Sequence, residues 1–315
     1  MKSSAIAICL ALTSLFAAPA YTQSDALQGQ GKAVVTVLPK TDGAVPASVT
    51  GQDMLLTIDG KMAKITSWKP FQSPENNLEL VLLIDNSSNS SLGTQLEAIR
   101  SFVGGLPSNI KAGIAYMQNG AARFAGPLST DHAQVLRALH LPGGGSGASA
   151  SPYFCLSDLA KHWPSQDQAA RREVVMVSDG VDPYAMRFDP NNPYLQAAIS
   201  DSVRAHLVVY SLYWQSRGSG STGSYESLSG QSYLNEVTQA TGGKSFWIGM
   251  GNPVSFTPYF DELNRRFQNQ YELAFTTGMT GKAQIEEMKL KFSAPGTEVN
   301  APRKVIVYPG AVAQN

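Results

Sequence analysis

Residues 78–91, LELVLLIDNSSNSS, are the stretch that decides the fold of this chain. Six of its first seven residues are apolar, and only Glu79 is polar. A run that can be buried on both faces is typical of a central strand in a parallel sheet. The run ends in Asp85 and a cluster of hydroxyl and amide side chains, which are half of a site for a hard cation. The same residues also fit a polar turn in which a serine caps the following helix.

Composition narrows the function classes. The chain has 315 residues, 43% of them hydrophobic, and a formal net charge of zero at pH 7. This hydrophobic content is enough for a real core in one large domain or two modest ones. Because no basic excess is available to neutralise phosphates, nucleic acid is not expected as a partner.

The N-terminus has the pattern of an export signal. Lys2 precedes an apolar run, residues 5–16, and Ala18-Pro19-Ala20 is a small-x-small cleavage pattern. We therefore predict a signal peptide at residues 1–20 and a flexible leader at 21–31. No later run is long enough for a membrane span, so the product is expected in the periplasm or outside the cell. Cys155 is then the only cysteine of the mature chain, which predicts a buried core thiol and no internal disulfide.

The rest of the chain divides into three segments. Residues 32–72 are β-rich, with a hairpin signal at Asp59-Gly60, and residues 252–315 contain a helix followed by further β segments. Between them, residues 76–251 alternate strands with helices, apart from a low-complexity tract at 215–230. This pattern predicts an α/β fold with a doubly wound, mainly parallel sheet. We expect the flanking strands of both chain ends to pair into one small β-sandwich.

Two internal strands end in acids, Asp85 and Asp179. The carboxyl ends of parallel strands share one edge of the sheet, where ligands bind, and the Gly/Ser loop at 143–151 is expected to fold over that edge. Carboxylates and hydroxyls without imidazole or thiolate favour Mg²⁺, Ca²⁺ or Mn²⁺ over zinc.

The motifs at these strand ends resemble those of von Willebrand factor A (VWA) domains. The resemblance rests on Asp85-x-Ser87-x-Asn89, on the strand end Ser178-Asp179-Gly180-Val181-Asp182 and on the strand–helix alternation. Nearly all of the mature chain is similar to the bacterial exported proteins called VWFA-related, including the Asp-Gly hairpin, Thr241-Gly242-Gly243 and Gln270-Tyr271-Glu272-Leu273. The family's metal-ion-dependent adhesion site uses Asp-x-Ser-x-Ser on one loop, a Thr on a second loop and an Asp on a third.

The resemblance implies a set of metal ligands in this chain. Asp85, Ser87 and Asp179 match the family's positions, and Asn89 stands where the family has Ser but still offers a neutral oxygen. Either Ser151 or Ser149 would replace the second-loop Thr. Asp182 would orient a ligand, or it is simply a solvated acid of the turn.

The function that the resemblance implies is binding, not catalysis. A cation, Mg²⁺ or else Mn²⁺ or Ca²⁺, would keep an open position that an acidic side chain of a protein partner completes. One alternative is a metal-free scaffold or assembly module of the cell envelope. A less favoured one is a hydrolase, because the segment Gly144–Gly147 is not a nucleophile elbow and the histidines are expected at the surface or the edge of the core (His132, His140, His162 and His206).

Overall fold

The computed structural model describes residues 28–41, 50–71, 77–88, 90–144, 150–215, 224–249, 251–279 and 281–310. The side chains of residues 52, 90 and 224 are excluded from this description. The predicted signal peptide, residues 1–20, lies outside the described residues, and so does the expected leader up to residue 27. A β-strand begins at Gln28, within the segment expected as a leader.

The described residues form thirteen strands and six α-helices. The strands are β1 (Gln28–Pro39), β2 (Met54–Ile58), β3 (Lys61–Pro70), β4 (Leu78–Asp85), β5 (Lys111–Gln118), β6 (Ala121–Phe124), β7 (Arg171–Ser178), β8 (Leu207–Tyr213), β9 (Ser245–Phe246), β10 (Gln270–Gly278), β11 (Gln284–Phe292), β12 (Thr297–Asn300) and β13 (Lys304–Pro309). The helices are α1 (Leu96–Gly104), α2 (His132–Arg137), α3 (Pro152–Lys161), α4 (Pro193–Arg204), α5 (Ser224–Thr241) and α6 (Thr257–Gln268).

The central sheet has the strand order β6-β5-β4-β7-β8-β9. Its pairings are parallel, except that the edge strand β6 runs antiparallel to β5. All eight residues of β4 are buried, because α1, α2 and α6 cover one face of the sheet and α3, α4 and α5 cover the other. Since β5 and β7 lie on opposite sides of β4, the strand order reverses at the carboxyl end of β4. Ligands bind at such points in open α/β sheets.

Strands from both ends of the chain form a second, closed sheet. The ring β10-β3-β2-β11-β13-β1 closes through the pairing of β1 with β10, and β12 adds to β1. All of its pairings are antiparallel. The predicted hairpin at Asp59-Gly60 joins β2 to β3, and both turn residues have the positive φ that a tight two-residue hairpin requires (47° and 75°). The apolar side chains of the ring, such as Val35, Leu56 and Phe275, fill its own core.

This architecture corrects the expected fold class. The expectation was a doubly wound, mainly parallel sheet flanked by a small β-sandwich. The strands from the chain ends instead form a closed six-stranded antiparallel barrel with one added strand, and the other sheet is mixed. The error has a physical cause: alternation of apolar and polar residues places one face of a strand in a core. The alternation is the same whether the sheet closes on itself or packs against another sheet, so it cannot distinguish a barrel from a sandwich.

Two further properties bear on the sequence predictions. Cys155, on α3, is fully buried, as predicted, and is a free cysteine. None of the described helices combines the length and the apolar character that crossing a bilayer demands.

Candidate functional site

Asp85 is the last residue of β4, and its carboxylate is held from both sides. Oδ1 accepts hydrogen bonds from the Ser87 backbone N–H (2.9 Å) and from the Ser87 hydroxyl (2.6 Å). Oδ2 accepts one from the Ser178 hydroxyl at the end of β7 (2.7 Å). Asp85 is only 5% exposed, so these bonds fix the direction of a nearly buried carboxylate.

Asp179 follows β7 directly and lies beside Asp85. In the parallel pairing, Ile84 stands opposite Val177, so the two strands end at the same level. The Asp179 carboxylate accepts a hydrogen bond from the Val181 backbone N–H (3.0 Å), and the residue is 5% exposed. The two acids therefore share the edge at which the strand order reverses.

The proximity of the two acids shows in their electrostatics. The pKa of Asp85 is raised from 3.8 to about 6, mainly by burial and then by the charge of Asp179, while hydrogen bonds from Ser87 and Ser178 oppose the shift. Two nearly buried carboxylates that repel each other are stabilised by a positive charge between or beside them. The edge of the sheet thus has the electrostatics of a cation site.

A third acid, Asp182, lies in the same turn and contacts the start of α3. It is 1% exposed, and its Oδ1 accepts a hydrogen bond from the Tyr184 backbone N–H (3.0 Å). Burial raises the pKa of Asp182, and the hydroxyl of Ser151 beside it partly offsets the shift. Ser151 is also the N-cap of α3, where its oxygen accepts the Tyr153 N–H (3.3 Å). Asp182 is therefore a buried neighbour of Ser151. It is not a solvated acid of the turn, which was the other interpretation of its position in the sequence.

Tyr153 lies close to the three acids and was not among the predicted site residues. Its hydroxyl donates to the Gly180 carbonyl (2.8 Å), and the side chain is fully buried. Burial raises its pKa well above the ordinary value, and the charges of Asp182, Asp179 and Asp85 add to the shift. Tyr153 thus sits within the electrostatic reach of all three carboxyls and supports the turn that carries Asp179.

The structure brings together most of the predicted site residues. Asp85, Ser87 and Asp179 meet at the sheet edge, and Ser151 and Asp182 are neighbours of each other. Asn89 and Ser149 lie outside the described residues. The start of the Gly/Ser loop is tied to the Asp85 loop, because the Gly143 N–H donates to Asn86 Oδ1 (3.0 Å).

The donor set fits a hard cation. In the described part of the chain, no group of three or more His, Cys, Asp or Glu side chains is placed to hold a metal ion. The edge offers two carboxylates and several hydroxyls instead, and such oxygens suit Mg²⁺, Ca²⁺ or Mn²⁺. A cation here would need hydroxyl or water ligands in addition to Asp85 and Asp179.

The histidines make contacts of other kinds. His162 hydrogen-bonds to Asp158 (2.9 Å), His132 to the Ile110 carbonyl (2.8 Å) and His140 to the Leu141 carbonyl (2.9 Å). His206 contacts the Tyr308 hydroxyl at 3.4 Å. Among the described residues these contacts contain no serine–histidine–carboxylate arrangement.

Comparisons with known proteins found similar chains among solved structures. No protein-family model and no curated protein matches the sequence. Similar solved structures include an aerotolerance-related membrane protein of Bacteroides fragilis (16% identity, TM-score 0.43, covering 60% of this chain and 98% of that one). BatB of Bacteroides thetaiotaomicron is 13% identical (TM-score 0.43, 61% and 96% covered). The VWA domain of SpRpn10 is 14% identical (TM-score 0.38, 59% and 94% covered).

Proposed function

We propose that this chain is an exported protein-binding module of the VWA type, whose sheet-edge site holds a divalent cation and binds an acidic side chain of a protein partner. One observation carries the proposal: Asp85 and Asp179 lie nearly buried at the switch point of the sheet, with hydroxyl groups directed at Asp85. The favoured cation is Mg²⁺, with Mn²⁺ or Ca²⁺ as the other candidates.

Each residue of the site has a distinct role in this proposal. Asp85 and Ser87 would hold the cation from the first loop, together with Asn89 by its position in the motif. Asp179 would contribute from the third loop, and the Ser151 hydroxyl is the candidate from the second. When bound, the cation supplies an electron-poor centre that accepts a carboxylate oxygen from a partner. Ser178 keeps Asp85 in position through its hydrogen bond, and Asp182 would orient Ser151, beside which it lies.

Calorimetric titration with Mg²⁺, Mn²⁺ and Ca²⁺ tests the cation. We expect a Kd on the order of 0.1–1 mM, as in extracellular calcium modules. Asp85→Asn or Asp179→Asn should weaken binding at least about tenfold, since even residues behind the direct ligands have effects of this size. Asp261→Asn is the matched control, because Asp261 is exposed on α6. Equal heats for wild type and the Asp85 and Asp179 variants would leave the metal-free scaffold of the cell envelope as the function.

A peptide titration tests the partner. A short peptide with one glutamate should bind in Mg²⁺ and lose its binding in EDTA, while its glutamine counterpart should bind in neither. Binding of the glutamate peptide that is unchanged by EDTA would overturn the role of the cation.

Export and the absence of catalysis complete the proposal. Mass spectrometry of the periplasmic fraction should find a mature N-terminus at Tyr21, after the small residues 18–20. The contacts of the four histidines favour binding over hydrolysis. Covalent labelling of a serine by a fluorophosphonate probe would restore the hydrolase alternative.

A further inference from the structure

A cavity lies at the end of the central sheet where β7 and β8 begin, opposite the end that carries the acids. Its volume is about 270 Å³, and it opens between the barrel and the first residues of β7 and β8. It is lined by residues of β1, β13 and the segment that follows α4. The eight residues of β7 span roughly 23 Å, so this cavity is separate from the Asp85–Asp179 site.

The cavity wall is rich in positive charge. Four cationic side chains line it, against the single carboxylate of Glu272 (Lys32, Arg171, Arg172 and Lys304). Lys32 pairs with Glu272 (3.0 Å), and Arg171 Nε lies 3.0 Å from the buried Glu173 carboxylate. Within the described residues, no carboxylate pairs with Arg172 or Lys304. The wall therefore keeps a positive excess after its internal pairs are counted.

The two arginine side chains of this wall leave opposite faces of β7 and have different partners. The side chain of Arg171 is 6% exposed, and its guanidinium stacks over the Phe71 ring at 4.9 Å. In the described part of the chain, Arg171 Nη1 and Arg172 Nε have no hydrogen-bond partner, although Arg172 Nη2 donates to the carbonyls of Ser165 and Asp167. Both unpartnered nitrogens are closed to solvent, so the wall attracts an anion in the cavity through its net positive charge.

Part of the remaining wall is apolar. Phe71, Val203, Leu207 and Ile306 are among the residues that line the cavity. Its volume corresponds to about nine waters, or to a ligand of about ten non-hydrogen atoms. A ligand that matches both parts of the wall has a charged oxygen group at one end and a small apolar body at the other.

We propose that this cavity binds a small organic carboxylate, with the carboxylate attracted by Arg172 and Lys304 and the apolar body against Phe71 and Val203. The site stands apart from the proposed function, because neither Asp85 nor Asp179 takes part in it.

His206 lines the cavity and gives a direct readout. Burial lowers its pKa, and the positive charges of Arg172 and Lys32 lower it further. A bound carboxylate offsets these charges, so binding should raise the pKa of His206. The titration of its ring can be followed by NMR, with His206→Gln to assign the signal among the four histidines.

The experiment titrates the full-length mature protein with benzoate, phenylacetate and isovalerate, with neutral benzamide as the uncharged control. We expect at least one carboxylate to bind with a Kd of about 1 mM or tighter and to raise the His206 pKa, while benzamide does neither. Arg172→Gln and Lys304→Gln should each weaken binding about tenfold, as expected when one charged hydrogen-bonding partner is removed. Lys289→Gln removes an exposed barrel lysine outside the cavity and should leave binding unchanged.

Two results would overturn this proposal. One is the absence of any His206 response to all three carboxylates at concentrations of about 10 mM. The other is an equal response to benzoate and benzamide, since the positive wall would then have no role in recognition. Circular dichroism establishes that each variant is folded. If Arg172→Gln fails to fold, the Lys304→Gln and Lys289→Gln pair decides the outcome.

Discussion

At Asp85, the surroundings oppose ionisation. Its pKa is raised to about 6, mainly by burial and then by the charge of Asp179. A carboxyl with a higher pKa in the folded state binds more protons there than in the unfolded chain between the two pKa values. Without a divalent cation, this group therefore makes the folded protein less stable as the pH rises from about 4 to about 6. A cation beside Asp85 would remove that penalty.

Asp85→Asn tests the penalty directly. The variant removes the charge and keeps an oxygen that can accept from Ser87. In EDTA, we expect it to exceed wild type in free energy of unfolding by on the order of 2 kcal/mol near pH 7.5 and to match it near pH 4. Urea unfolding at both pH values measures the difference, with Asp261→Asn as an exposed control. A variant less stable than wild type near pH 7.5 would show that hydrogen bonding outweighs burial at this carboxyl.

Sequence reasoning found some residues of the site and missed others for a physical reason. Asp85 and Asp179 could be predicted because the end of a buried strand is visible in the hydrophobic pattern. Ser178 is the last residue of its strand, and only the register of β4 and β7 directs its hydroxyl to Asp85. Tyr153 reaches the Gly180 carbonyl from α3, and no spacing in the sequence indicates that contact.

Among the elements, α5 departs most from its sequence pattern. Residues 215–230 are low in complexity, yet the helix already begins at Ser224. Its first turns are held by tertiary contacts: the Ser229 hydroxyl accepts the Phe188 N–H (3.3 Å), and the Tyr233 hydroxyl donates to the Arg187 carbonyl (2.7 Å). The small residues of α5 allow the segment at Arg187 and Phe188 to approach the helix closely. Residues whose composition is typical of a loop therefore form a packed helix surface here. By contrast, strand β4 could be predicted from its own run of apolar residues alone.

Gly230→Ala tests how closely α5 packs on the Asp179 turn. In an exposed helix, Gly→Ala stabilises by about 1 kcal/mol. A Cβ at Gly230 would stand 2.2 Å from the Asp179 carbonyl oxygen, so we expect the opposite sign here, a loss of about 2 kcal/mol or more. Gly104→Ala on α1 is the control, since its Cβ would meet only Leu136 at 3.6 Å. Both are measured by urea unfolding, and equal effects would mean that α5 is not tightly seated.

For the whole molecule, the decisive contact joins the two ends of the chain. β1 pairs with β10 along nine residue pairs, from Gln28 with Gly278 to Thr36 with Gln270. Each strand alone has an ordinary alternating pattern, and closure of the barrel depends on which distant partner each edge finds. The β-rich character of both ends could therefore be predicted, while the barrel could not.

Arg266 connects the helical layer to this barrel. It lies on α6 and is fully buried, with Nε 2.9 Å from Glu262 and Nη2 3.5 Å from Glu298 on β12. Its neighbour Arg265 bonds to the same Glu262 (2.8 Å) but is 35% exposed. The two arginines thus share an acid and differ in burial and in contact with the barrel.

We expect Arg266→Ala to lower the free energy of unfolding by about 3 kcal/mol, because it removes a buried charge partner together with packed methylenes. Arg265→Ala should cost less than about 1 kcal/mol, as exposed ion pairs do. Urea unfolding of both variants at one pH measures the contrast. Similar losses in the two variants would mean that the Glu262 pairing alone matters and that the reach of Arg266 to β12 adds nothing. A loss confined to Arg266→Ala would place the junction between helix and barrel among the main determinants of stability.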